Sequence, residues 1–197
     1  MDEVGALEDR LILVARETFL RNGYGLTSIN EIAKAARVSR NTVYARFPTK
    51  ADLFRNIVQR QIAAFNLQSD PSSIRESDTL PDRMRAFANL ALSISLRLDV
   101  LQLNRLIVSE CHQFPELAEA AQERHRAGVA HVAQIIANFA KRDGLGYSDP
   151  TRTAEVFLLA LQGWYTMAMM SNHEISARER HRVVDDIVDV LFASRAS

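Results

Sequence analysis

Between Ser39 and Lys50 the chain carries Arg40, Asn41, Thr42, Tyr44, Arg46 and Lys50, with Val43 and Phe47 set four apart among them and no acid in the run. These residue types are not those of a nucleophile with its base, nor of a metal shell. They are cationic and hydrogen-bonding groups. An Asn pairs bidentately with adenine, an Arg suits guanine or phosphate, and the methyls of Thr42 and Ala45 suit a thymine methyl. A phenol and an ammonium suit phosphate oxygens. The chemistry open to such a set is recognition of a polyanion that also presents base edges.

Helices must position these groups. Ile29, Ile32, Ala33 and Ala36 fall at i, i+3, i+4 and i+7, one helical face. Ser28 with Glu31 three residues later is a capping-box start, with Thr27 as the alternative N-cap. Arg37-Val38 turns the chain, and Ser39 caps a second helix, Thr42 standing where it returns the bond. Pro48 stops that helix, and Thr49 with Asp52 opens a third. The second helix is expected to run roughly eight residues, about 12 Å, close to the ~12 Å width of a DNA major groove. With Val43 and Phe47 inward, a wheel at ~100° per residue turns Asn41 and Ala45 outward, flanked by Thr42 and Tyr44, with Arg40 at the N-terminal end. Tyr44 and Lys50 are placed to hold backbone phosphates, Lys50 in a first turn whose free N–H groups also attract anions. Ser28 and Arg37 complete the candidate DNA-facing set. The structural alternative is a three-helix corner packed inside another bundle. The caps, the polar outward face and the shortness of the second helix argue against it.

The pattern G-Y-x-x-T-S-I-x-x-I-A-x-x-A-x-V-S-x-x-T-V-Y-x-x-F-x-x-K-x-x-L, from Gly23 to Leu53, resembles the DNA-binding domain of the TetR family of bacterial transcriptional regulators. The amphipathic stretch from Leu7 to Asn22 fits as that domain's first helix. The resemblance implies phosphate contacts from Thr27, Ser39, Tyr44 and Lys50, and base or groove contacts from Arg40, Asn41, Thr42 and Arg46. Two positions depart from the family's habit. Asn41 stands where Gly is commonest and Arg46 where His or Tyr is frequent, and both enlarge the reading surface.

Net charge is zero over 197 residues, which suits a nucleic-acid binder poorly until it is divided along the chain. From Glu31 to Asn66 there are seven bases against two acids, a local +5 that the remainder cancels. With 47% hydrophobic and 24% charged residues the chain is globular rather than disordered. MDEVGALEDR lacks the apolar core of a secretory signal, and no apolar run approaches the ~18 residues of a membrane span. One cysteine, Cys111, excludes an internal disulfide and suits the cytoplasm. The five His (112, 125, 131, 173, 181) include no i, i+4 pair, so no metal site is expected, and no cofactor. Asp185-Asp186-x-x-Asp189 has the spacing of a magnesium–diphosphate motif. It occurs once, among Val184, Ile187 and Val188, and is expected to be a solvated helix face. Phosphate-loop, nucleophile-elbow and H-E-x-x-H patterns are absent.

Past the motif the chain alternates helical runs with polar breaks. Ala51 to Asn66 reads as a connecting helix, and QSDPSSIRESDT, Gln68 to Thr79, as a linker. Further helices are expected over Pro81–Leu98, Val100–Gln113, Pro115–Arg142, Pro150–Met170 and after Ser176. The expectation is therefore an all-α chain: residues 1–50 as a three-helix DNA-binding domain with a helix-turn-helix, 51–66 as connector, 67–79 as linker, and 80–197 as a ligand-binding and dimerisation bundle. The helix 150–170 is apolar almost all round, and such a helix must be covered on several sides. Self-association through the last two helices would do this and supply the two-fold symmetry of a palindromic site on double-stranded DNA. The family resemblance implies the same four-helix dimer. The stretch LNRLIVSECHQFPELAEAAQERHRAGV also resembles the C-terminal domain of the AefR-like subgroup. Met84, Phe87, Leu103, Ile107, Phe139, Phe157, Trp164 and Met167 are candidates to line a cavity for an apolar or aromatic small-molecule effector, with His112, Gln162 or Tyr165 as polar handles. The expected protein is a homodimeric, cytoplasmic repressor of transcription, not an enzyme. A helical protein-interaction module and an all-α small-molecule enzyme are the rival classes.

Overall fold

The computed structural model describes residues 3–68, 78–144, 146–170 and 175–192. Among them the chain forms nine helices and no strand: α1 (Glu3–Asn22), α2 (Ile29–Ala35), α3 (Arg40–Tyr44), α4 (Lys50–Gln68), α5 (Leu80–Ser95), α6 (Leu98–Glu110), α7 (Pro115–Asp143), α8 (Pro150–Met170) and α9 (Ala177–Phe192). No single described helix is long and apolar enough to cross a membrane. The proposed linker lies outside the described residues except at its two ends. The helix starts follow local capping chemistry. Ser28 with Glu31, Thr49 with Asp52 and Ser176 with Glu179 each make the bond to the N3 amide and its return to the cap backbone. The break expected near Val100 lies earlier, because α5 closes at Leu96 and α6 begins at Leu98.

The helices form two compact units that do not follow chain order. The first comprises Met1–Ala64 with Gln102–Arg124, the second Phe65–Leu101 with His125–Ser197. Residues 102–124 therefore group with the N-terminal head, whereas the sequence placed them with the C-terminal bundle. The cause is the apolar face of α6 and the start of α7. Leu103, Leu106, Ile107, Leu117 and Ala120 are buried in one cluster with Leu11, Phe19, Tyr24, Val43, Phe47, Phe54 and Ile57.

In the second unit Leu80, Met84, Phe87, Ile136, Phe139, Phe157, Val184, Val188 and Phe192 share a core. Arg85 of α5 lies among three carboxylates: Asp82, Asp185 at 3.2 Å and Asp189. Two members of the Asp185-Asp186-x-x-Asp189 run thus bind α9 to α5 rather than only facing solvent. His131 of α7 is half-buried, stacked on Phe87 (centroids 5.8 Å, planes 27° apart) and edge-on to Phe65 (6.4 Å). Its Nε2 is buried without a hydrogen-bond partner. Burial, aided by the nearby Arg83 charge, holds the imidazole pKa below its ordinary value.

Below about pH 6.5 the unfolded chain takes up a proton at His131 that the folded chain resists. Stability should accordingly be full above that pH and decline as pH falls toward the lowered folded value. His131→Leu is expected to flatten this decline in urea unfolding between about pH 7 and 5. A slope equal to wild type would show that the imidazole is not its source.

Candidate nucleic-acid interface

The two-helix motif is held by short-range bonds that the sequence dictates. α2 ends in a left-handed turn: Val38 N–H donates to the Ala33 carbonyl (3.0 Å) and Arg37 N–H to that of Lys34 (3.1 Å). Arg37 sits at φ +55°, a region glycine ordinarily fills. Ser39 then caps α3, its Oγ accepting from Thr42 N–H at 3.0 Å and lying 2.8 Å from the Thr42 hydroxyl. Regular α3 covers five residues, shorter than the eight expected. Its last turn tightens as Arg46 N–H bonds the Val43 carbonyl, an i−3 rather than i−4 step.

Val43 and Phe47 are buried, while Asn41 and Ala45 are exposed and Thr42 and Tyr44 half-exposed beside them. Ser28, Arg37, Ser39 and Arg40 are exposed as well. The Arg40 guanidinium lies 5.0 Å from the Tyr44 ring centre and donates to its hydroxyl at 3.2 Å. Arg46 is half-buried, its Nε without a partner. Among the described residues Arg37, Arg40 and Arg46 have no ion pair, whereas Arg55 is tied to Asp52 and Arg60 to Asp9.

Thr27 and Lys50 are placed otherwise than the phosphate contacts foreseen for them. Thr27 is 2% exposed, and its hydroxyl donates to the Gly23 carbonyl at 2.7 Å, closing the turn after α1. The Lys50 ammonium donates to the carbonyls of Tyr24 (2.8 Å) and Thr27 (3.1 Å) and sits 4.3 Å over the Tyr24 ring. Burial lowers its pKa, while Glu116 and Glu110 act to raise it. The Tyr24 ring is fully buried against Phe19, Phe54 and Phe114, its hydroxyl donating to Glu116 at 2.8 Å. Burial, reinforced by Glu116, raises the phenol pKa. Sequence reasoning missed Glu110, Phe114 and Glu116. The available signal was Gly23-Tyr24-Gly25, two residues without side chains around an aromatic. A Cβ at Gly25 would stand 2.8 Å from the Phe114 ring.

The effector-lining candidates separate. Met84, Phe87, Phe139 and Phe157 share the second unit's core, with Trp164 and Tyr165 packed against it. Leu103 and Ile107 belong to the first unit's core, because that face of α6 packs into the head. Met167 is 69% exposed, on the outer side of α8. His112 and Gln162 are exposed, and Cys111 is half-buried with its thiol toward the Val108 carbonyl.

Comparison with known proteins sets this geometry in context. Residues 11–57 match the profile of bacterial regulatory proteins of the tetR family, and residues 82–194 that of the C-terminal domain of AefR-like transcriptional repressors. The chain is 40% identical over 52 residues to the HTH-type transcriptional regulator QacR of Staphylococcus aureus (strain Mu50 / ATCC 700699). That match spans 26% of this chain and 28% of QacR, about a quarter of each. Among solved structures, a Mesorhizobium loti MAFF303099 protein assigned to the TetR-family transcriptional regulators shares the fold at a TM-score of 0.81 and 24% identity, with 98% of each chain covered. The flavonoid-responsive regulator FrrA superposes at a TM-score of 0.78 and 25% identity, over 96% of this chain and 97% of its own.

The left-handed Arg37 makes a sharp expectation. Arg37→Gly relieves the backbone at that turn and should raise stability by about 0.5–1 kcal/mol, with the usual entropic loss of glycine already included. Denaturant unfolding checks it. A lowered midpoint would mean that the Arg37 side chain supplies a stabilising contact the turn needs.

Proposed function

The chain belongs to the TetR family of bacterial transcriptional regulators, with a C-terminal domain of the AefR-like type, and from that premise we propose a homodimeric repressor that reads a palindromic operator and is released by an aromatic effector. As a member of the family it is a DNA-binding regulator rather than an enzyme. The observation that carries the reading is the outward row on α3, where Arg40, Asn41 and Ala45 project with Thr42 and Tyr44 beside them and, among the described residues, no acid pairs with Arg40. In the proposed complex Arg40, Asn41, Thr42 and Arg46 meet base edges or the groove wall. Ser28, Arg37, Ser39 and Tyr44 meet phosphates. Thr27 acts through the turn it closes, and Lys50 reaches phosphate only by leaving its carbonyl partners.

The dimer is proposed to form through α8 and α9. Val156, Leu159, Met167 and Met170 are exposed, with Gly163 between them, and the five positions fall on one stripe of α8 opposite the buried Ala154, Phe157 and Leu161. A second copy is the partner that covers such a stripe, and its two-fold axis sets recognition helices about 34–36 Å apart on successive major grooves. For the effector, the rings of Phe65, His131 and Phe157 packed around Phe87 in the second unit support a flat aromatic compound that would insert among them. The unpartnered His131 Nε2 offers it a polar handle. The response of FrrA to flavonoids is in keeping with that chemistry. Three helices, α4, α6 and α7, run from one unit into the other. An effector that prefers a wrongly spaced pair of heads by ~1–3 kcal/mol would release DNA about 5–150-fold more readily.

Selection of duplexes from a random pool tests the DNA reading. Wild type should enrich a palindrome and Arg40→Ala/Tyr44→Ala should not, and binding should weaken by about 10³–10⁵ between ~50 and ~200 mM salt. Equal enrichment by both proteins would remove α3 from the reading. Leu159→Glu is expected to convert dimer to monomer in sedimentation. A variant that stays dimeric would move the interface off the α8 stripe.

A further inference from the structure

Tyr24 and Gly25 present successive amide N–H groups that converge on one carboxylate. Tyr24 N–H donates to Glu110 Oε1 at 3.0 Å and Gly25 N–H to Oε2 at 2.8 Å, across 86 and 85 residues of chain. On the other edge of the turn, carbonyls of the same two residues and of Thr27 accept from Lys50. Both polar edges of residues 24–27 are thus gripped by opposite charges. The surfaces fit at closest approach, since Gly23 at φ +84° would place a Cβ 2.9 Å from Glu110 Oε1.

The turn leads directly into the Ser28 cap of α2, and α2 passes through the left-handed Arg37 into α3. A shift of the Glu110 carboxylate therefore carries α2 and the outward row of α3 with it. Glu110 closes α6, and α7 starts at Pro115; both helices continue into the second unit. Charge-assisted bonds to two amides are stronger and more directional than the apolar contacts around them. We infer that Glu110 is a positioning residue for DNA reading: through its carboxylate the α6–α7 corner sets the attitude of the recognition helix. The assignment rests on the DNA-binding role proposed above. It adds a route of control through the α6–α7 corner.

The test uses the full-length protein and an operator first selected with wild type. Failure to select any operator would refute the DNA-binding role itself, before Glu110 is altered. Glu110→Gln keeps the volume but removes the charge and one of the two acceptors. Operator affinity should fall about 10- to 100-fold. Affinity for a non-operator duplex and the slope of binding against salt should stay at wild-type values, because every phosphate-facing cation remains. Undiminished operator binding, or an equal loss on both duplexes, overturns the assignment. A second measurement needs no variant. Since coupling is reciprocal, operator DNA should slow hydrogen exchange at the Tyr24 and Gly25 amides of wild type relative to free protein. Identical exchange in the two states overturns the assignment even where Glu110→Gln fails to fold.

Discussion

The first unit depends on the solution to one problem: a polar turn buried beneath a hydrophobic ring. Burying the Tyr24 ring among Phe19, Phe54 and Phe114 draws Tyr24 and Thr27 away from water and half-buries Gly23 and Gly25, while Leu26 stays exposed. The backbone N–H and C=O groups so enclosed must then find partners inside the protein. Glu110 takes two amides, Lys50 takes the carbonyls, and the Thr27 hydroxyl closes on Gly23. The ammonium and the carboxylates also moderate each other's burial, since Glu116 and Glu110 oppose the desolvation of Lys50. Removing one charge leaves the other without compensation, so the set acts as a unit.

What the sequence made legible was what short-range physics decides. The pairs Ser28–Glu31, Thr49–Asp52 and Ser176–Glu179 stand three residues apart, so the spacing alone specifies the bond. The inward Val43 and Phe47 and outward Asn41 and Ala45 follow from the helical period. Two kinds of feature were not legible. The tightened end of α3 depends on how the chain leaves toward Pro48, a choice between i−3 and i−4 bonds close in energy. The partnership of Glu110 with Gly25 joins residues far apart in sequence, and the two glycines around Tyr24 mark a close approach without saying which residue makes it. A separation of 26 residues likewise concealed the use of Lys50. Its position in the motif showed a cation at a helix start, while its reach toward the Tyr24 carbonyl is set by tertiary packing.

Helix α8 shows why an apolar composition alone does not locate a core. Ala154, Phe157 and Leu161 enter the interior, whereas Val156, Leu159, Met167 and Met170 face outward. Met167 was grouped with the cavity residues on composition, yet the helical period puts it with the outer set. Likewise the neutral total charge hides a division. Among the described residues Arg55 and Arg60 pair with Asp52 and Asp9, whereas Arg37, Arg40 and Arg46 around α3 have no ion pair.

The grouping of residues 102–124 with the head bears on how the protein is made. Tyr24 and Gly25 leave the ribosome well before Glu110, with 85 residues separating Gly25 from its carboxylate. At synthesis rates of about 5–20 residues per second that interval is roughly 4–17 s. During it the nascent chain holds Ser28, Ser39 and the α3 row but lacks the Glu110 carboxylate that takes the two amides of the turn behind them. The reading head is therefore completed only after α6 has been synthesised.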